Sequence, residues 1–415
     1  MISCNNEDSA GSPEETNTDN ETEEAEQKEP ITLKIGVHFD DTMFNERFKE
    51  PIEENFPHIT VEHVPIFTYG RGDLEELFFS GETADFFFTI SQEDMEYFEL
   101  DSDLSELIEE HDYDTSHLNQ NLLDTIRARD SEGRLTAWPY EDTYYVLAYN
   151  KEIFDMFGEN YPSDDMTWEE TIELATRLTQ ERNGVKYRGL DFADNDLLTQ
   201  FSINATDPET GEVLILEKPE FSQYVDLFDR IFNIPGIYDD GNLFHGDGFS
   251  NDHTTAMLVV NAQALNWWKD NEGLNFDVAT VPTWSSHPNI APRGFLQTLT
   301  LNPMSEHKDE VFEVFTYFAS DDYQKWMSRN GIGIVSNQKE ILDEFYQDYE
   351  NTHDMNVSSI FNNEAAPPPE RISLWDKYVD INLQDFYEST MDPNEFLRVS
   401  KEEAEAEIKE AKEME

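Results

Sequence analysis

The stretch ITLKIGVHFDDTMFNERFKEPIEENFPHITVE, residues 31–62, decides the fold. Ile31 to Val37 alternates apolar and polar residues as a half-buried strand does, and the run ends at His38-Phe-Asp-Asp41. Phe44, Phe48, Ile52 and Phe56 recur every four residues, which is one face of a helix, and Pro57 stops it. Ile59-Thr-Val61 then reads as a second strand. Outward from this unit, Leu74-Glu-Glu-Leu-Phe-Phe79 predicts a short helix ended by Gly81, and Asp85-Phe-Phe-Phe-Thr-Ile90 a buried strand. Strand, helix, strand, helix, strand is the pattern of a parallel sheet with helices on both faces, so the class is α/β.

Further along, Tyr144 to Tyr149 predicts a strand, and Thr167-Trp-Glu-Glu170 a capping box heading a helix to about Thr179. Phe221–Phe232 predicts an amphipathic helix closed by Pro235-Gly236. Thr255–Val260, Phe276–Val281 and Gln297–Leu301 predict strands. From Glu306 to about Met327 the pattern is helical, and helices dominate the C-terminal region. Residues 401–415 form a charged tail without an apolar stripe.

The 415 residues carry 91 Asp+Glu against 27 Lys+Arg, a formal charge of −64. Such a surface repels phosphate backbones, which excludes ordinary nucleic-acid binding, and it opposes docking on anionic lipid. A 38 % hydrophobic and 13 % aromatic content is too apolar for a disordered acidic chain. The acidity suits a solvated surface outside the cell. The sole cysteine, Cys4, excludes an intrachain disulfide and a cysteine zinc cluster. Residues 5–29 hold 10 acidic residues and no aromatic residue, Val, Ile or Leu, which predicts a self-repelling linker. A cysteine tethered by such a linker is where a diacylglycerol anchor sits. Only Met1-Ile-Ser3 precedes it, without an apolar signal core, so the expected start lies upstream or the chain is truncated.

Enzyme motifs are missing. There is no G-x-S-x-G elbow, no H-E-x-x-H and no Walker lysine loop. Asp239–Asp247 is rich in oxygen ligands, but its spacing is not that of an EF-hand, and no metal or cofactor is expected. With 91 carboxylates, two in proximity are no evidence for a glycosidase.

A set of segments in fixed order carries a resemblance. Phe56-Pro-His-Ile-Thr-Val-Glu62 resembles an F-x-x-I-x-V-E strand entry, and Ala84-Asp85-Phe a P-D-I strand. Gly133-Arg-Leu-Thr-Ala-Trp-Pro139 with Leu147-Ala-Tyr-Asn-Lys-Glu-Ile-Phe154 resembles G-x-x-Y-x-x-P followed by L-x-Y-N-K-x-x-F. Pro162 with Thr167–Glu170, Thr255-Ala-Met257, Ala279-Thr-Val-Pro282 and Ser305–Glu310 follow in the same order, over about 300 residues. The chain thereby resembles the extracellular solute-binding proteins of ABC importers, in the sugar-type branch that includes maltodextrin-binding proteins. One departure is Asn251-Asp-His253 where a glycine usually precedes the A-A-M strand.

The resemblance implies a two-lobed periplasmic-binding-protein-like fold with crossing strands and a central cleft. Lobe one is expected over 31–141 plus 283–318 and lobe two over 142–282 plus 319–400, with 1–30 as anchor cysteine and linker and 401–415 as tail. It also implies an extracellular, lipid-anchored monomer that hands a small solute, a carbohydrate, to permease subunits. Ligand contacts are expected at the loops that end the strands and at the crossings. These are His38, Asp40, Asp41, Ser91, Gln92, Tyr140, Asp142, Thr143, Tyr144, Trp267, Trp268, Arg293 and Trp375. Their carboxylates, amides and guanidinium suit sugar hydroxyls, and the rings suit sugar C–H faces. Trp168, Trp284 and Trp326 are expected in packing roles. Two alternatives stay open: a secreted carbohydrate-active enzyme, and a binding protein for a non-sugar solute such as a polyamine or an iron complex.

Overall fold

The computed structural model describes residues 28–414 except 67–70, 82, 194–195, 240, 242, 245, 269–270 and 272. Cys4 and residues 5–27 of the expected linker lie outside the described residues. The two larger of the four sheets among the described residues, each packed with its own helices, make a two-lobed α/β fold.

The first sheet forms as the opening stretch predicts. Ile31–Val37 pairs in parallel with Ile59–Pro65 on one side and Phe86–Phe88 on the other. Gly36 sits where a Cβ would come within 2.5 Å of the Phe87 ring, so only glycine lets these strands close. Gln297–Leu301 and Trp138–Glu141 complete the sheet antiparallel, giving the mixed order Ile59–Pro65, Ile31–Val37, Phe86–Phe88, Gln297–Leu301, Trp138–Glu141. The helix between the first two strands is continuous from Asp41 to Asn55 but contains a π-helical turn over Asn45–Lys49. Pro51 has no N–H to offer the carbonyl of Arg47 four residues back. That carbonyl accepts instead from the Tyr323 hydroxyl at 2.8 Å.

The second sheet has the order Phe276–Thr280, Tyr145–Asn150, Met257–Asn261, Asp191–Phe192. Alternation along Tyr145–Asn150 sends Tyr145, Leu147 and Tyr149 to one core and Val146 and Ala148 to the other. The first of these cores packs the helices Trp168–Leu178 and Pro219–Phe232, the former opened by the expected capping box of Thr167 and Glu170.

Three expected boundaries are corrected. Trp284 lies with the second lobe, its ring 4.7 Å from that of Phe201, so the return crossing comes near 292–296 and not at 283. Residues 319–341 belong to the first lobe, because helix Asp321–Arg329 buries Tyr323 and Met327 there and Val335 and Ile341 follow. The C-terminal segment is not a bare charged tail. Helix Pro393–Met414 lays Phe396, Leu397, Ala404 and Ile408 on the second lobe's core and turns its charges outward.

Candidate functional site

Strand ends build the floor of the site. His38 follows the first strand, and its ring lies 5.6 Å from that of Phe88. Burial pulls His38 below the ordinary imidazole range. Past Phe86–Phe88, the chain turns at Thr89 (φ 48°) into Ile90 and Ser91. Ser91 caps helix Gln92–Tyr97, accepting from the Asp94 N–H at 3.1 Å and donating to the Asp94 carboxylate at 2.7 Å. Arg71 Nε donates to the other Asp94 oxygen at 3.3 Å. Gln92 is 7 % exposed; its amide nitrogen donates to Glu96 at 3.0 Å, while its Oε1 is buried without a partner.

These groups line a cavity of about 710 Å³ that both lobes share. The first lobe contributes His38, Ser91, Gln92, Asp94 and Arg129 among apolar walls of Ile66, Leu74, Phe88 and Met95. Phe295 comes from the crossing segment, and Ile372 and Leu374 from the loop leading back into the second lobe. Phe295 is 56 % exposed, a large ring standing open in a chain that buries most of its rings. Contacts across the seam include a backbone hydrogen bond and an ion pair. The Ile372 N–H donates to the Ala128 carbonyl at 2.6 Å, and Lys377 pairs with Glu93.

Three crossing segments meet beside the cavity. The Phe295 N–H donates to Thr143 Oγ1 at 2.7 Å, and the Tyr144 hydroxyl donates to the Ile334 carbonyl at 2.7 Å. A Cβ at Gly294 would stand 2.0 Å from the Thr143 carbonyl oxygen, and one at Gly333 would stand 1.5 Å from that of Asp142, so both glycines are needed for this approach. Asp142 is 1 % exposed. Burial pushes its carboxyl up to about 7; the Thr143 N–H at 3.0 Å and Arg293 oppose the rise, and Glu141 adds to it. Burial pulls Arg293 below the ordinary guanidinium range, against the pull of Asp142.

Of the residues expected at the site, His38, Ser91 and Gln92 line the shared cavity. Asp142, Thr143 and Tyr144 lie at the crossing and line a separate cavity of about 530 Å³. Arg293 sits at the crossing, and Arg129 lies within reach of its charge. The others stand elsewhere. Asp40 caps the first helix from the surface, and the exposed Asp41 faces His63 at 3.3 Å. Tyr140 is a core residue, stacked on Phe48 and bonded to the Tyr323 hydroxyl at 2.8 Å. Trp267 is 77 % exposed and outside the cavity, and Trp268 packs on Phe249 and Phe276. Trp375 packs against Gly211 and under Lys412, so its neighbour Leu374 faces the cavity instead.

The sequence reading missed Arg129, Phe295 and Leu374. Phe295 had a usable signal, being an aromatic residue two positions after the chosen Arg293 in the same crossing. Arg129 ends helix Gln120–Arg129 after Arg127, and nothing in the spacing tells which of the two turns inward.

Comparison with known proteins follows the same lines. The family model described as bacterial extracellular solute-binding protein matches residues 44–325. No curated protein matches the chain. Among solved structures, the chain is similar to an ABC substrate-binding protein from Listeria monocytogenes in complex with cycloalternan, with 20 % identity and a TM-score of 0.69, covering 92 % of this chain and 99 % of that one. It is also similar to a sugar transporter from Rhizobium etli in an open conformation, with 14 % identity and a TM-score of 0.70, covering 91 % and 99 %. A third, maltose-bound MalE3 from T. maritima, has 16 % identity and a TM-score of 0.64, covering 90 % and 99 %.

Proposed function

Because the chain belongs to the bacterial extracellular solute-binding proteins, we propose that its shared cavity captures a saccharide outside the cell and that the closed form hands it to ABC permease subunits. The observation that carries this reading is the cavity itself, whose wall is drawn from both lobes and whose polar groups alternate with apolar surface. A saccharide presents hydroxyls to Gln92, Ser91 and His38, and a C–H face to the open ring of Phe295.

The mechanism is hinge closure. A ligand that touches both lobes only in the closed form shifts the open–closed equilibrium by its differential affinity. Driving that equilibrium from 1:99 to 99:1 takes about 10⁴-fold tighter binding to the closed form. The stitched crossing at Asp142–Tyr144, Gly294 and Gly333 is the natural pivot, since three backbones approach there too closely for any side chain. No bond is made or broken. Cys4 is the proposed site of lipidation, with the acidic stretch after it holding the body off the membrane. Among the described residues, no helix is long and apolar enough to cross a membrane.

Calorimetric titration with a panel of neutral and acidic mono- to trisaccharides, with chromatography of each mixture, tests the reading. One-to-one binding with every saccharide recovered intact is expected. Turnover would favour a carbohydrate-active enzyme, and no binding across the panel would remove the saccharide.

A further inference from the structure

The charge of the cavity departs from that of the rest of the chain. With 91 acidic and 27 basic residues, a cation here has more than three carboxylates to choose from. The neighbouring cations use them: Arg71 reaches Asp94, Arg127 reaches Asp124, and Arg134 reaches Asp101 and Asp130. Among the described residues Arg129 has no such partner. It lines the shared cavity at the seam between the lobes, and the charge that acts on it is the like charge of Arg293, which together with burial holds its guanidinium down. Asp94, on the same wall, is already engaged by Arg71 and Ser91. The C-terminal end of helix Gln120–Arg129 favours a cation, but the outward Arg127 serves that end as well. A half-buried guanidinium beside a second one, with no counter-ion, costs free energy that the fold does not recover by itself.

A second observation stands across the same wall. The Gln92 amide oxygen is buried and without a partner, an acceptor waiting for a hydroxyl. The cavity therefore offers a planar cationic fork, a lone acceptor, and apolar surface with an open ring at Phe295. The matching ligand has an anion of carboxylate geometry, a hydroxyl to donate, and an apolar face.

We infer that the cleft takes a saccharide bearing a carboxylate, a uronic acid or a short oligomer of one, with Arg129 receiving the carboxylate and Gln92 Oε1 a ring hydroxyl. The inference rests on the saccharide reading above and narrows it. Arg129 chooses the acidic sugar over its neutral counterpart because guanidinium and carboxylate match as two parallel charge-assisted hydrogen bonds. A neutral sugar in the same place would leave that guanidinium buried and unpaired.

The test is titration of the full chain with mannuronate trimer and with mannotriose, which differ in the carboxylate at C6, and with a sulfated disaccharide. The parent chain is expected to prefer the mannuronate trimer. R129Q should lose that ligand on the order of 10- to 100-fold, with mannotriose changed less than about threefold. R129K keeps the charge without the fork and should fall between. Among the described residues Arg129 holds no partner, and its burial as a cation costs free energy, so R129Q should melt no lower than the parent and R129K, which keeps the charge, should melt with it. If R129Q fails to fold, R129K carries the comparison. Mannotriose binding as tightly as the mannuronate trimer would overturn the inference and leave the saccharide reading intact. So would R129Q and R129K binding the acidic trimer like the parent, and so would a tighter sulfated sugar. Only if no sugar of either kind binds does the saccharide reading itself fall.

Discussion

Replacing Phe295 by alanine separates a ligand platform from a packing ring. A phenylalanine side chain presents roughly 200 Å², and 56 % of Phe295 is open, leaving about 110 Å² that a ligand can cover. At about 25 cal/mol per Å², complete coverage would contribute about 2.8 kcal/mol, and coverage of half, as a sugar lying on one face gives, about 1.4 kcal/mol. Phe295→Ala should therefore weaken the tightest saccharide of the panel about tenfold. The same exposure means that little packing is lost, so the ligand-free melting temperature should move by no more than a surface substitution moves it. Trp375→Ala is the control. Its ring packs on Gly211, Lys412 and the second lobe's core, so it should lower the melting temperature and leave affinity nearly unchanged. Calorimetry and thermal melts on both variants give the four numbers. Unchanged affinity in Phe295→Ala together with lost affinity in Trp375→Ala would show that the cavity described here is not the binding site.

Tyr140→Phe removes a hydroxyl that bonds Tyr323 at 2.8 Å and accepts from Arg47 Nε at 3.2 Å; denaturant melts should record a loss of about 1–3 kcal/mol, with saccharide affinity unchanged. Asp142 carries a pH signature. Its carboxyl rises from 3.8 to about 7 in the fold, so the folded chain keeps a proton that the unfolded chain releases. Stability should accordingly fall as pH rises from about 4 to about 7 and level off above. Relative to Asp142→Asn, which has no such proton, the parent should lose at most about 4 kcal/mol across that window, and parallel curves for the two would contradict the assignment. Glu93→Gln breaks the ion pair with Lys377 that spans the lobes. Because the pair is solvent-exposed, the variant should weaken saccharide binding by no more than about fivefold, an effect that 0.5 M salt should erase in a titration series.

The fold was readable where local pattern and tertiary use coincide. Alternation at Ile31–Val37, four-residue spacing from Phe44 and the Thr167 capping box all describe contacts that those residues make with near neighbours. Residues 319–341 were misassigned because an amphipathic helix shows that it packs without showing on what. The stripe of Phe396, Leu397, Ala404 and Ile408 was hidden among charges at the intervening positions. His38, Ser91 and Gln92 follow predicted strand ends, and those ends border the shared cavity. Tryptophans are harder to place, because ring size signals burial as strongly as it signals ligand contact, and Trp267, Trp268 and Trp375 stand outside this cavity. Trp375 and Leu374 differ by one position and face opposite ways. Arg129 had no signature in the sequence, since what sets it apart is a missing partner, and that is a property of the packed structure alone.

A saccharide bound between the lobes should close them. Small-angle scattering of the full chain, recorded without ligand and with the tightest saccharide of the panel at saturation, tests this closure directly. A smaller radius of gyration is expected in the bound form, with the midpoint of the change at the calorimetric Kd. Saturated binding with an unchanged radius would contradict it.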